Sequence, residues 1–304
     1  MNLPTLPTLP GLGSTLGSVV RFARVLAFVA ATGMGVGVVA VGDPAGRTPA
    51  ARDGVPAGMV PIPAGIYSPL FRLPDEAREV AVPTFFMATA PVTNGEFLEF
   101  VRQNPRWRRS QVKRLFADAG YLRHWNGDLD LGPDRDRVAS QPVVRISWFA
   151  AKAYSDWMGY RLPTTAEWEL AAAAGFSRAD GTNDIEFQQA IARWYGTPSP
   201  SVLPSVRSGR PNVHGVHDLH GLVWEWTGDF NTALVTGDAR GDTGIERQLF
   251  CGAGSLGAGD RSNFPAFMRS GFRSSLKAAY TIHNLGFRCV ADPAIAPSPT
   301  SSPP

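Results

Sequence analysis

The chain has 304 residues, 44% of them hydrophobic and 18% charged, with 32 Gly, 26 Pro, 8 Trp and 17 Phe and a formal net charge of +3. A chain of this length buries a sizeable core, but so much Gly and Pro excludes a helical bundle and points to an irregular fold whose long loops are pinned by aromatic anchors. The small charge excess argues against a nucleic-acid partner, and the Arg-rich stretch RWRRSQVKR at 106–114 reads as the solvated face of a helix.

In chain order, Arg21 and Arg24 precede an uncharged run, VLAFVAATGMGVGVVAVG at 25–42, which Asp43 closes. Residues 1–42 therefore read as an export signal, cleaved, or as a single retained anchor. Either form places the rest outside the cytoplasm, periplasmic or otherwise exported, with the membrane touched only through this segment. A Pro/Gly/Ala linker follows over 43–57, a folded domain is expected over 58–292, and the Pro/Ser tail at 293–304 is low-complexity sequence expected to be disordered.

Within the domain, MVPIPAGIYSP and EVAVPTFFMATAPVT read as short strands interrupted by proline. TNGEFLEFVRQ reads as a helix capped by Thr93 or Asn94, with Phe97, Phe100 and Val101 on one face. SWFAAKAYSDWMGY is a second helix, capped by Ser147, and TTAEWELAAAAG a third. In the third, Thr164 and Glu167 form a capping box and Gly175 stands where a C-terminal cap belongs. Beyond it helical periodicity is sparse, apart from a weak helix near 184–194, and turn residues dominate. Trp168, Trp224 and Trp226 read as core or loop anchors. His214, His217 and His220 stand three apart, a spacing able to draw a transition metal, although Gly215 and Gly221 argue against the helix that would align them.

Four segments, PVTNGEFLEFV, PVVRISWFAAKAYSDWMGYRLPTTAEWELAAAAG, HGVHDLHGLVWEWTGDF and NLGFRC, together resemble the sulfatase-modifying-factor family, the fold of formylglycine-generating enzyme, over about residues 58–291. The resemblance implies a single α+β domain, related to C-type lectin folds, with little regular secondary structure. It also implies a calcium site of Asp218 and Glu225 carboxylates with the backbone carbonyls of Gly221 and Val223, hard oxygen ligands on a glycine-bent loop. One calcium is expected, because the family's other calcium loop is not recognisable between 195 and 212.

The same resemblance sets expectations for sulfur. The family's oxidases carry two cysteines between a Gly-Ser turn and the final arginines, where a thiolate pair binds Cu(I) and copper activates O₂. Here that stretch, GSLGAGDRSNFPAFMRSGFR, holds no cysteine, so copper is not expected. The family cysteine matching Cys289 usually pairs with a helix position that is Ser155 in this chain. Cys289 then either pairs with Cys251, closing a loop of about 38 residues for roughly 3–4 kcal/mol, or stays buried and free. Ser255, Arg261, Arg269 and Arg273, together with Arg288, fall in the segments that form the family's substrate groove, and guanidinium groups suit carboxylates and peptide backbones. For Arg288, tying loops together through carbonyls is an equal reading.

Some relatives of this kind lack the copper pair, among them accessory proteins encoded beside copper nitrite reductases, with a similar CGAG…PAFMR…SSLKA…NLGFRC pattern. The leading expectation is therefore an exported accessory or maturation protein for a metalloenzyme such as nitrite reductase, with a polypeptide partner or peptide substrate. The alternatives are an O₂-using oxidase of formylglycine-generating or tailoring type with an altered site, and a calcium-stapled lectin-like binding module.

Overall fold

The computed structural model describes residues 54–70, 77–230 and 264–293. The chain divides into two units at Asp43–Pro44, and every described residue belongs to the second. The N-terminal hydrophobic run, most of the linker and nearly all of the Pro/Ser tail lie outside the described residues, as do Cys251, Ser255 and Arg261. Among the described residues, no helix is long and apolar enough to cross a membrane.

The strands are short and sit where proline-punctuated sequence put them. β1 (Met59–Ile62) pairs antiparallel with β4 (Phe85–Ala88), and β4 in turn with β7 (Val290–Ala291), giving a sheet in the order β1-β4-β7. Pro61 is tolerated because β1 is an edge strand and needs no second ladder of N–H donors. β2 (Gly65–Tyr67) and β3 (Val80–Val82) form a separate antiparallel pair. β5 (Trp224–Glu225) and β6 (Leu285–Gly286) run parallel, and this pairing lays the VWEW segment beside NLGFR. Glycine is required at 286, since a Cβ there would lie 2.7 Å from the Val143 carbonyl oxygen.

Helices form where caps are written into the chain. In α1 (Asn94–Gln103) the Thr93 hydroxyl accepts from the Glu96 N–H while the Glu96 carboxylate accepts from the Thr93 N–H, and Phe97, Leu98, Phe100 and Val101 are buried. Asn94, itself buried, donates to the carbonyls of Val138, Gln141 and Pro142 and accepts from the indole of Trp125, which fixes α1 against the turn after α2 (Arg135–Ala139). α3 (Trp148–Trp157) is capped by Ser147, and α4 (Thr165–Ala172) by the expected Thr164–Glu167 box. α5 (Ile185–Tyr195) is capped by Asp184 and buries Phe187 and Ile191. The main core lies between α1, α3 and the β5–β6 pair, around Phe97, Tyr154, Trp226 and Phe287.

Three expectations need correction. Residues 106–114 are not a helix face: a 3₁₀ turn at Pro105–Trp107 gives way to irregular turns, and Arg109 is held by donating to the Trp125 carbonyl at 2.6 Å. Gly175 does not cap α4, which ends on Ala173; its smallness instead admits Asp184, whose Oδ2 would stand 2.8 Å from a Cβ at 175. The segment around FPAFM is a regular helix, α6 (Phe264–Ser274), where turns were expected.

Candidate functional site: an arginine latch beside an aromatic shelf

Every polar side chain of RLPTTAEWE has a structural partner. Arg161 grips Glu167 bidentately, with both contacts at 2.7 Å, and also pairs with Asp292. Backbone bonds between Arg161 and Val290 tie the motif to the C-terminal strand. Trp168 is buried, and its indole N–H donates to Glu225 at 2.8 Å.

Glu169, the next residue, is the centre of the site. It faces α6, where Arg269 binds it through Nε and Nη2 at 2.8 and 2.6 Å and Arg273 through Nη1 at 2.6 Å. Arg269 also donates to the Tyr195 hydroxyl at the end of α5. Both guanidiniums lie over the Trp168 ring, 5.6 and 5.0 Å from its centre. Burial alone would raise the Glu169 pKa, but Arg269 and Arg273 outweigh it and hold the carboxyl at about 2. Nearby Tyr67 is pushed up to about 12, first by burial and then by the Glu169 charge. Arg269 and Arg273, expected to line an open groove, are thus consumed in an internal latch.

Around this latch runs a half-buried aromatic shelf. Trp224 stacks on Phe272 at 4.3 Å and contacts Trp194 and Tyr195 at 5.3 and 5.7 Å. On α6, Arg269 and Arg273, four residues apart, face inward beside Phe272, while Phe264 is 55% exposed and Met268 36% exposed on the outside.

Arg288 is fully buried and bonds both loops and a carboxylate. It donates to Glu225 through Nε and Nη2, both at 2.7 Å, and to the carbonyls of Ala88 and His217. The expected loop-tying role is therefore present, with a carboxylate partner that sequence reading had assigned to calcium. Arg288 and Trp168 thus take three of the roughly four acceptor sites of the Glu225 carboxylate. Asp218 adopts a left-handed backbone, φ 63°, and accepts from the Arg207 N–H at 2.6 Å, while burial raises its pKa. As folded, Asp218 and what remains of Glu225 are a poor match to the roughly six to eight oxygens that calcium takes.

The three histidines do not converge. His217 donates from Nδ1 to the Gly209 carbonyl and His220 from Nε2 to the Ala172 carbonyl. Burial, followed by the Arg269 charge, lowers the His220 pKa to about 3. Among the described residues no group of three His, Cys, Asp or Glu is placed to hold a metal ion. Cys289 is a free, buried thiol. It faces Ser155 at 3.4 Å, and burial pushes its pKa up to about 12. Among the described residues Cys289 thus contacts the serine at the position of the family's usual partner, and the expected pairing with Cys251 lies outside them. A neutral, enclosed thiol is neither a nucleophile nor a soft metal ligand. The positions that would carry the second family cysteine include Phe264, Pro265 and Ala266 of α6, which offer no donor. This donor set does not fit copper.

A mixed helix-and-strand domain with little regular structure, stitched by capping boxes, buried arginines and tryptophans, defines an α+β sulfatase-modifying-factor-like fold. The model of the Sulfatase-modifying factor enzyme 1-like domain matches residues 46–293, and the chain belongs to that family. It is 27% identical to the formylglycine-generating enzyme of Bos taurus, over 81% of this chain and 78% of the relative. It is 29% identical to the inactive C-alpha-formylglycine-generating enzyme 2 of the same species, over 58% of this chain and 71% of the relative. It is 30% identical to hercynine oxygenase of Mycolicibacterium smegmatis, over 59% of this chain but only 47% of the relative.

Proposed function

We propose that this chain is an exported accessory protein that docks a partner polypeptide, a metalloenzyme such as copper nitrite reductase, on the outer face of α6 and the adjoining aromatic shelf. The observation that carries the reading is the outer face of α6: Arg269 and Arg273 are buried on Glu169, and the apolar residues Phe264 and Met268 are exposed. Large exposed apolar residues beside half-buried Trp224 and Phe272 make a surface suited to a protein partner. The absence of a cysteine pair from the 252–275 stretch agrees with a binding role, and the family contains a member named as inactive.

The test uses the full chain and purified copper nitrite reductase. Binding is measured by calorimetry for the natural sequence and for Phe264→Asp/Met268→Asp, with the thermal midpoint of each recorded. The double variant is expected to keep its midpoint and lose at least about tenfold in affinity, since central apolar anchors carry most of an interface. Unchanged binding by the variant overturns the docking face. One equivalent of bound copper with O₂ consumption that depends on a cysteine-containing peptide overturns the accessory role in favour of an oxidase.

A further inference from the structure

From Arg106 to Ala117 the chain carries five cations, Arg106, Arg108, Arg109, Lys113 and Arg114, and no carboxylate. After the short 3₁₀ turn these residues follow irregular turns, so the role of each charge depends on what its side chain meets. Arg109 is spent on the carbonyls of Trp125 and Asn126, and Arg108 is half-buried. Arg106, Lys113 and Arg114 are exposed, and no ion pair engages them among the described residues. The acids on neighbouring elements are turned to other partners. Asp118 accepts from the Gly120 and Thr281 N–H groups. Asp128 accepts from the N–H and hydroxyl of Ser110, and its charge faces Arg109 and Arg108. The segment that Asp118 meets adds a further exposed cation, Lys277.

An apolar point stands among these cations. Residues 113–116 form a turn, closed by the Phe116 and Ala117 N–H groups, which donate to the Lys113 carbonyl at 2.9 and 3.3 Å. Leu115 is 74% exposed there and Phe116 36% exposed. The turn is firmly seated: Ala117 is fully buried and the Asp118 N–H donates to the Ala279 carbonyl. The Phe116 ring packs edge-on against Trp107 and half-buried Phe149, at 6.2 and 5.4 Å. Two adjacent large apolar side chains on a fixed turn, with a third ring behind them, make a patch rather than a scattered exposed residue.

Charge and shape together select the occupant. A nucleic acid would take the cations but gives the leucine no apolar phase, and an acidic polypeptide needs a preformed pocket to receive the turn. A bilayer with anionic headgroups supplies both layers, phosphates level with the cations and acyl chains beneath, and Lys and Arg stems span that boundary. We propose that the 106–117 segment docks peripherally on an anionic phospholipid surface. Leu115 and Phe116 enter the boundary between headgroups and acyl chains, while Arg106, Lys113 and Arg114 meet the phosphates, with Lys277 on the adjoining segment. This surface uses none of the α6 residues, and neither proposal depends on the other.

Hydrogen exchange on the full chain reads the contact by position, so binding through residues 1–42 is scored separately. With vesicles of equal parts phosphatidylglycerol and phosphatidylcholine, amides at 113–117 should gain protection. With pure phosphatidylcholine they should exchange as in buffer, and added salt should weaken the anionic contact as the Debye length shortens. In titrations with the mixed vesicles, Lys113→Gln/Arg114→Gln should weaken binding about twenty-fivefold, or about fivefold per cation. Leu115→Ser should weaken it at least about tenfold, through loss of the buried side chain. These positions are exposed, so the thermal midpoint of each variant should stay at that of the natural sequence. Equal protection by neutral and anionic vesicles, or no protection at 113–117 with either, overturns the proposal. Full binding by Leu115→Ser overturns it too, and would leave a cationic patch suited to an acidic polypeptide.

Discussion

Glu225 and Glu169 are both buried, both bound by arginine and both tied to Trp168, yet they are matched in different ratios. Glu225 meets one arginine, Arg288, with both side chains fully enclosed and two further guanidinium protons given to backbone carbonyls. Glu169 meets two, Arg269 and Arg273, closer to the surface, and the Tyr195 hydroxyl accepts a further bond from Arg269. The first is a neutral knot joining β4, the 217 loop, β5 and the C-terminal segment. The second fastens a single helix, α6, whose outward residues are apolar. Deep one-to-one pairing serves the core; shallow two-to-one pairing holds an element that is expected to come away before the core does.

The largest effect should come from cutting the knot. Arg288→Met leaves the Glu225 carboxylate buried and uncompensated, which costs about 3–5 kcal/mol. The full loss should appear in denaturant unfolding as a lower midpoint of the whole domain. The double change Arg288→Met/Glu225→Leu should recover much of it, because two apolar groups of similar volume leave no buried charge. If the single variant unfolds only α6, the two clusters are not distinct in the way their ratios imply.

Glu169→Gln should cost less, about 2–3 kcal/mol, and act locally. Two buried guanidiniums lose their counter-charge and α6 detaches, seen as a change in the fluorescence of Trp168 and Trp224 before global unfolding. Acid should mimic it. The Glu169 carboxyl is depressed from 4.5 to about 2 in the folded chain, so its contribution is complete above pH 4.5 and is lost as the pH falls from there toward 2. The fluorescence transition in that window should be present in the natural sequence and missing from Glu169→Gln. A transition of equal size in the variant would assign the acid response to another carboxylate.

The two regions were unequally legible in the sequence. α1, α3 and α4 could be read because a cap is a local matter: Thr93, Ser147 and Thr164 lie three residues or fewer from the N–H groups they satisfy. α6 escaped because periodicity looks for an apolar inner face, and here the inner face is Arg269 and Arg273; Gly271 weakens the helical signal further. The i, i+4 spacing of the two arginines was the available clue. Their carboxylate could not be read at all, since Glu169 lies 100 residues from Arg269 and belongs to a motif whose Thr164 and Glu167 already account for it as a helix start. Glu225 was read, through the family resemblance, as a calcium ligand, and the fold brings Arg288 to it from 63 residues away.

The finest distinction between the clusters is the third partner of Arg269. Arg288 uses backbone carbonyls, which no substitution removes, whereas Arg269 uses the Tyr195 hydroxyl at 3.1 Å. Tyr195→Phe deletes that one bond and keeps the ring against Trp194 and Trp224. A single neutral acceptor lost from a charged donor should destabilise the latch by about 1 kcal/mol. Because the ratio of two arginines to one carboxylate is untouched, amide exchange should quicken in α6 alone, by about fivefold at that energy, with the 285–291 segment around Arg288 unchanged. Faster exchange in both places would mean that Trp168, which touches both carboxylate clusters, transmits strain between them, and the core and the fastened helix would then have to be treated as one cooperative unit.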